Sequence, residues 1–202
     1  MKKERYIFIV VSICASIVFC MCFLGDHITQ PAIASKILRF HVLANSDSVG
    51  DQAVKEKVRD AVGAYLQPSL KEANSLADTK QIVEKHMQDI IAVSENILRE
   101  NGYEYEVMVQ IKSVAFPEKT YGDYTFPKGE YEALQIVIGK GEGQNWWCVL
   151  YPNMCFRGSV FEVVEEEAEE ALREVLSPWE YANVFSSGKL QLQFKFLELF
   201  KR

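Results

Sequence analysis

His41 and Asp47 stand six residues apart with Asn45 between them, a couple that could orient a general base or contribute to a metal site. The same spacing fits a plainer reading, a strand histidine followed by a turn whose Asn and Asp side chains bond nearby backbone. His86 falls beside an apolar helical stripe and is expected at a surface or boundary. Cys148 and Cys155 are seven apart, flanked by Trp146, Trp147 and Phe156. In an exported chain a disulfide closing that short loop is expected, the alternative being two buried thiols. No CxxC pair or neighbouring histidine completes a tetrahedral set, so no metal is expected. No Gly-x-Ser-x-Gly elbow and no His-Glu-x-x-His is present. Gly139, Gly141 and Gly143 alternate, but they join two strands and open no helix, which argues against a phosphate-binding loop. No cofactor is expected, and no reaction can be assigned from these residues. Aromatic surface is the stronger signal. Trp146 and Trp147 are adjacent on one expected strand and must point to opposite faces. One of them, with Tyr121, Tyr124 and Tyr131, would suit protein recognition or stacking on sugars; two buried tryptophans are the alternative.

The elements that must position these residues follow from periodicity. Lys36 to Ala44 reads as a first strand, and Asn45 to Ser48 as a turn able to cap a helix. Val54, Val58, Ala61, Val62 and Tyr65 recur at helical spacing until Pro68. Asp51, Glu56 and Asp60 alternate with Lys55, Lys57 and Arg59, the pattern of a solvated helix face. A second helix is predicted from Thr79, capped by Asp78, to Glu100, with Asn101-Gly102 as its stop. Tyr103 to Ser113, Tyr131 to Ile138 and Trp146 to Tyr151 alternate as strands. Pro117 and Pro127 bracket a short edge strand or hairpin arm. An acidic helix is predicted over Phe161 to Leu176, and Leu190 to Phe200 is either a last strand or a closing helix. Pro178 to Gly188 is the best candidate for a boundary. The order predicts an α+β fold, helices on one face of a mostly antiparallel sheet.

Residues 1–34 read as a separate export segment. Lys2, Lys3 and Arg5 precede eighteen residues, Ile7 to Leu24, without charge or proline. That length lies between a long signal-peptide core and a minimal membrane span, so residues 7–24 would contact membrane if retained. The leading cations would leave the remainder outside. Ala32-Ile33-Ala34 offers a signal-peptidase site before Ser35; an uncleaved anchor is the alternative. Residues 35–202 then form a single globular domain. The chain carries a net charge of −6, and it has no basic run, which argues against nucleic acid.

Two stretches resemble the stage II sporulation protein R family. One runs from Arg39 to Ser48 (RFHVLANSDS), then Asp51-Gln52 and Lys55 to Val62. The other runs from Gly129 to Leu134 and from Ile138-Gly139 through Gly141 to Val149, ending in Pro152 and Cys155-Phe156. The similarity spans residues 36–160. It implies an exported signalling protein of endospore formation, released across the forespore membrane into the intermembrane space. Its partner there would be a membrane-embedded aspartic protease, stage II sporulation protein GA, which processes a pro-sigma factor in the mother cell. The protein would be a ligand and not an enzyme. His41, Asn45, Asp47, Trp146, Trp147 and Phe156 are the residues expected to meet the partner. A secreted cell-wall hydrolase using His41 and Asp47, or a peptidoglycan-binding module using a tryptophan, are the rival readings.

Overall fold

A computed structural model describes residues 29–152, 154 and 166–185, together with 6, 9, 11–13 and 16. Strand β1 (Leu38–Leu43) is followed by helices α1 (Val49–Leu70), α2 (Leu76–Lys85) and α3 (Met87–Glu100). Then come β2 (Val107–Phe116), the hairpin β3 (Lys119–Tyr121) and β4 (Tyr124–Phe126), β5 (Gly129–Ile138) and β6 (Asn145–Tyr151). Helices α4 (Glu166–Val175) and α5 (Pro178–Val184) follow. The α+β reading holds. The main sheet has the order β2-β5-β1-β6, antiparallel except where β1 runs parallel to β5.

Local chemistry explains where the elements depart from expectation. Ser48 caps α1 by accepting from the Asp51 N–H. Pro68 lies inside the helix and does not end it, because its missing N–H removes one bond near the carboxy-terminal end while Leu70 still packs into the core. The long helix predicted over Thr79–Glu100 is two helices. Ser75, not Asp78, caps the first, and the chain turns at His86, whose N–H reaches the carbonyls of both Ile82 and Val83. The imidazole Nδ1 of His86 lies 2.8 Å from Tyr65 Oη and 3.2 Å from an Asp89 carboxylate oxygen. Asp51, Lys55 and Arg59 are buried, unlike the solvated face their charge pattern suggested. The expected boundary after Pro178 is instead helix α5, opened by a reciprocal capping box of Ser177 and Glu180. The Leu190–Phe200 segment lies outside the described residues, as do residues 161–165 of the expected acidic helix.

The sheet separates two cores. Leu38, Phe40 and Val42 of β1 meet Val54, Val58, Val62 and Leu66 of α1, with Val83, Ile90 and Leu98 behind them. On the other face Phe116, Tyr131, Ala133 and Val149 meet Ile33, Ile37, the β3–β4 hairpin, and Leu172, Leu176, Tyr181 and Val184. Helices therefore reach both faces, the second one only at the end nearer Phe116.

Under that second layer lies Arg39, fully buried. Its guanidinium carbon sits 4.4 Å from the Phe116 ring centre and 5.1 Å from those of Phe126 and Tyr131. Nη2 donates to Tyr121 Oη at 3.0 Å, while Nε and Nη1 have no hydrogen-bond partner among the described residues. Ring faces hold the charge, and no carboxylate pairs with it among those contacts. Desolvating a cation in this way is costly, so an apolar side chain of similar length should do as well. Arg39→Met is expected to keep or raise stability in urea denaturation, whereas Arg39→Ala should lose about 2–4 kcal/mol through the cavity it leaves.

Candidate functional site

Two loops meet at the end of the sheet opposite the β3–β4 hairpin, and they are built from the residues the sequence singled out. The first follows β1, residues 44–48; the second joins β5 to β6, residues 139–144. Asn45 Oδ1 accepts from the Lys140 N–H at 3.1 Å, and Asp47 Oδ1 accepts from the Gln144 N–H at 2.7 Å. The Gly143 N–H donates to the Ala44 carbonyl at 2.9 Å. The loops are so close that a Cβ on Gly143 would fall 2.2 Å from the Ser46 carbonyl oxygen. At Gly139, where φ is +58°, a Cβ would fall 2.4 Å from Asn45 Oδ1.

Asp51 ties this loop pair to helix α1. One carboxylate oxygen accepts from Ser46 Oγ at 2.5 Å and Asn45 Nδ2 at 3.0 Å, and the other from Tyr105 Oη at 3.1 Å. The Ser46 hydroxyl and the Asn45 amide hold the carboxyl below the ordinary carboxylate range. Lys55, its pKa lowered by burial, donates to Gln52 Oε1 and to the Gln144 carbonyl of the second loop. The ionised form of Asp51 therefore stabilises the fold above the carboxylate range, and this contribution is lost as pH falls through it. Asp51→Ala leaves three donors without their acceptor and should cost about 2–4 kcal/mol, read as a fall in melting temperature at neutral pH.

From these loops a row of side chains crosses the sheet. Gln110 Nε2 of β2 donates to Gln135 Oε1 of β5 at 3.0 Å. Gln135 Nε2 in turn donates to His41 Nδ1 of β1 at 3.0 Å, and His41 Nε2 donates to Asn145 Oδ1 of β6 at 2.8 Å. Register aligns the row, since Gln135 lies opposite both Gln110 and His41. With Nδ1 accepting, the proton belongs on Nε2 and the ring is neutral. Trp147 stacks on that ring, centroids 3.9 Å apart and planes 11° apart. Burial pushes the His41 pKa down from 6.5 to about 4.

His41 and Asp47 thus do not form a catalytic couple. Both imidazole nitrogens are engaged by amides, and the Asp47 carboxylate holds the second loop. The structure does bring His41, Asn45, Asp47 and Trp147 to one end of one sheet. Trp146 points the other way, as adjacent strand residues must, with Phe40 edge-on at 5.5 Å and the Arg59 guanidinium 5.1 Å from its ring. Phe156 and Cys155 lie outside the described residues. Cys148 is buried, its Sγ 3.8 Å from the Val149 carbonyl oxygen, and it has no disulfide partner among the described residues; the expected bond to Cys155 falls outside them. Among the described residues no group of three or more His, Cys, Asp or Glu side chains could hold a metal ion. Sequence reasoning missed Gln135, Asn145 and Asp51. Gln135 had a signal, a lone amide inside the apolar run of β5.

The His41 shift carries a sign. A group with a lowered folded-state pKa as a base stays neutral in the fold while the unfolded chain takes up a proton. Stability is therefore full above pH 6.5, falls as pH drops from 6.5 to about 4, and then levels, a loss of about 3 kcal/mol. His41→Gln should remove this part of the slope in melting curves taken across that range.

The class of protein defined so far is an α+β domain whose mixed sheet carries a row of polar side chains bonded to one another. The stage II sporulation protein R family matches residues 34–160, and the chain belongs to that family. It is 36% identical over 143 residues to stage II sporulation protein R of Bacillus subtilis (strain 168), covering 70% of this chain and 64% of the relative's length. The chain thus spans somewhat less than two thirds of that relative. No solved structure matches it.

Proposed function

We propose that this protein is an exported signal of endospore formation that switches on a membrane-embedded aspartic protease in the neighbouring cell, stage II sporulation protein GA. The protease then removes the pro-sequence of a mother-cell sigma factor. Membership of a family named for stage II of sporulation carries this reading. Residues 1–24, a short basic start and an uncharged apolar run, support export. The engaged nitrogens of His41 support a ligand over a hydrolase, because a general base needs a free lone pair facing its substrate.

The partner is proposed to meet the end of the sheet where the two loops interlock. Val49, 88% exposed at the start of α1, stands beside the first loop. Met108 of β2 is exposed on the same sheet face as Gln110 and His41. Asp47 and Asn145 are exposed, and Trp147 is half-buried. Interlocking gives these side chains fixed positions, which lowers the entropy cost of binding. Activation across the membrane then needs only that this surface bind the active arrangement of the protease more tightly than the inactive one.

The test is reconstitution in a non-sporulating host with the protease, its pro-sigma substrate and this protein. Processing is expected only when the protein is exported. Its absence with all three components present, or its appearance without export, would overturn the reading. Val49→Asp should leave the melting temperature unchanged, since Asp is tolerated in a first helical turn, and should reduce processing at least tenfold. Full processing by that variant would move the contact surface elsewhere.

A further inference from the structure

The Ala32-Ile33-Ala34 pattern that resembles a signal-peptidase site is folded into the domain. Residues 29–34 are helical and lead through a turn into β1. Ile33 is fully buried in the second core beside Phe126, Tyr131 and Val184, and Ile37 follows it there. Gln30 Nε2 donates to the Glu130 carbonyl at 3.0 Å, and a Cβ on Gly129 would fall 2.3 Å from Gln30 Cδ. Thr29 is buried, 3.4 Å from the indole N–H of Trp179 on α5. Lys36 forms an ion pair with Glu180 at 2.5 Å. The helix therefore joins β1, the start of β5 and α5.

A cut after Ala34 would discard Thr29 to Ala34. It would take Ile33 out of the core and uncover the Phe126 and Tyr131 side of the sheet. No other Ala-x-Ala pattern stands between Leu24 and Thr29, where the residues are Gly25, Asp26, His27 and Ile28. Within the apolar run, the described residues Ile9, Val11 and Ile13 are helical and exposed. The run of eighteen residues is roughly 27 Å long as a helix, close to the apolar thickness of a bilayer.

We propose that the bond after Ala34 stays intact in the exported protein, so that residues 29–34 remain part of the domain and the run over 7–24 holds it to a lipid bilayer. The occupant of the uncharged apolar run is then lipid. The link of four residues places Thr29 within roughly 18 Å of the bilayer. Trp179, 67% exposed and with its indole N–H directed to Thr29 Oγ1, is of the residue type that suits a membrane-water interface. This inference rests on the export reading, and the two can fail separately.

The full chain, expressed with its own amino terminus, would be followed by external protease digestion, alkaline extraction and intact mass. Expected are an uncut chain of 23.1 kDa, digestion from outside, and retention in the alkali-resistant membrane fraction. A mature chain beginning at Ser35 overturns the inference, even where digestion from outside upholds export. Protection from external protease would count against export, and the place of the helix is then decided on the detergent-solubilised full chain. There Ile33→Ala should lower the melting temperature by roughly 5–15 °C, with Ser35→Ala as an exposed control. An unchanged melting temperature for Ile33→Ala would overturn the inference as well.

Discussion

Strand β1 is buried on both faces, between two hydrogen-bonded neighbours, and most of the architecture follows from what that demands. A strand with one wet face can alternate apolar with charged residues. Here the residues that alternate with Leu38, Phe40 and Val42 are Arg39 and His41, and both are buried. A buried polar group must find partners. His41 finds them in amides on the two adjacent strands, whereas Arg39 is wrapped in rings supplied by β2, the hairpin and β5. The hairpin thus has a reason to lie where it does. Without it, the second face would leave Phe116 and Tyr131 exposed around a half-covered cation.

The same demand separates what could be read in the sequence from what could not. Periods of two and of 3.6 residues revealed β1, the body of α1, β2, β5 and β6, because their apolar stripes are long and regular. The break at His86 was hidden, since Ile82, Val83, Ile90 and Ile91 keep one apolar stripe across it. Parallel pairing of β1 with β5 was hidden too, because pairing partners are set by tertiary packing. Charge misled along α1. Asp51, Lys55 and Arg59 sit among opposite charges three and four residues apart, as on a wet surface, yet the neighbouring loop and Trp146 cover them.

For the candidate site, the turn after β1 and the tryptophan strand were legible as places, and their juxtaposition was not. His41 and Asp47 looked like a pair because they are close in sequence. In three dimensions each is claimed by something about 100 residues away, His41 by Gln135 and Asn145, Asp47 by Gln144. Linear spacing could not show this, because the claim is made by amides and backbone N–H groups, which leave no chemical signature in a sequence. One lone glutamine in an apolar strand was the only local hint.

The contact between Gly143 and the Ser46 carbonyl has a consequence for descent. Two loops that touch backbone to backbone, with Asn45 and Asp47 bonded to the amides of the other loop, cannot drift independently. An insertion in either would displace the other, and a side chain at 143 would need a compensating retreat at 46. The pair is therefore expected to vary as a single inherited unit, with lengths locked together, while the exposed rim around Val49 remains free to change with whatever it meets.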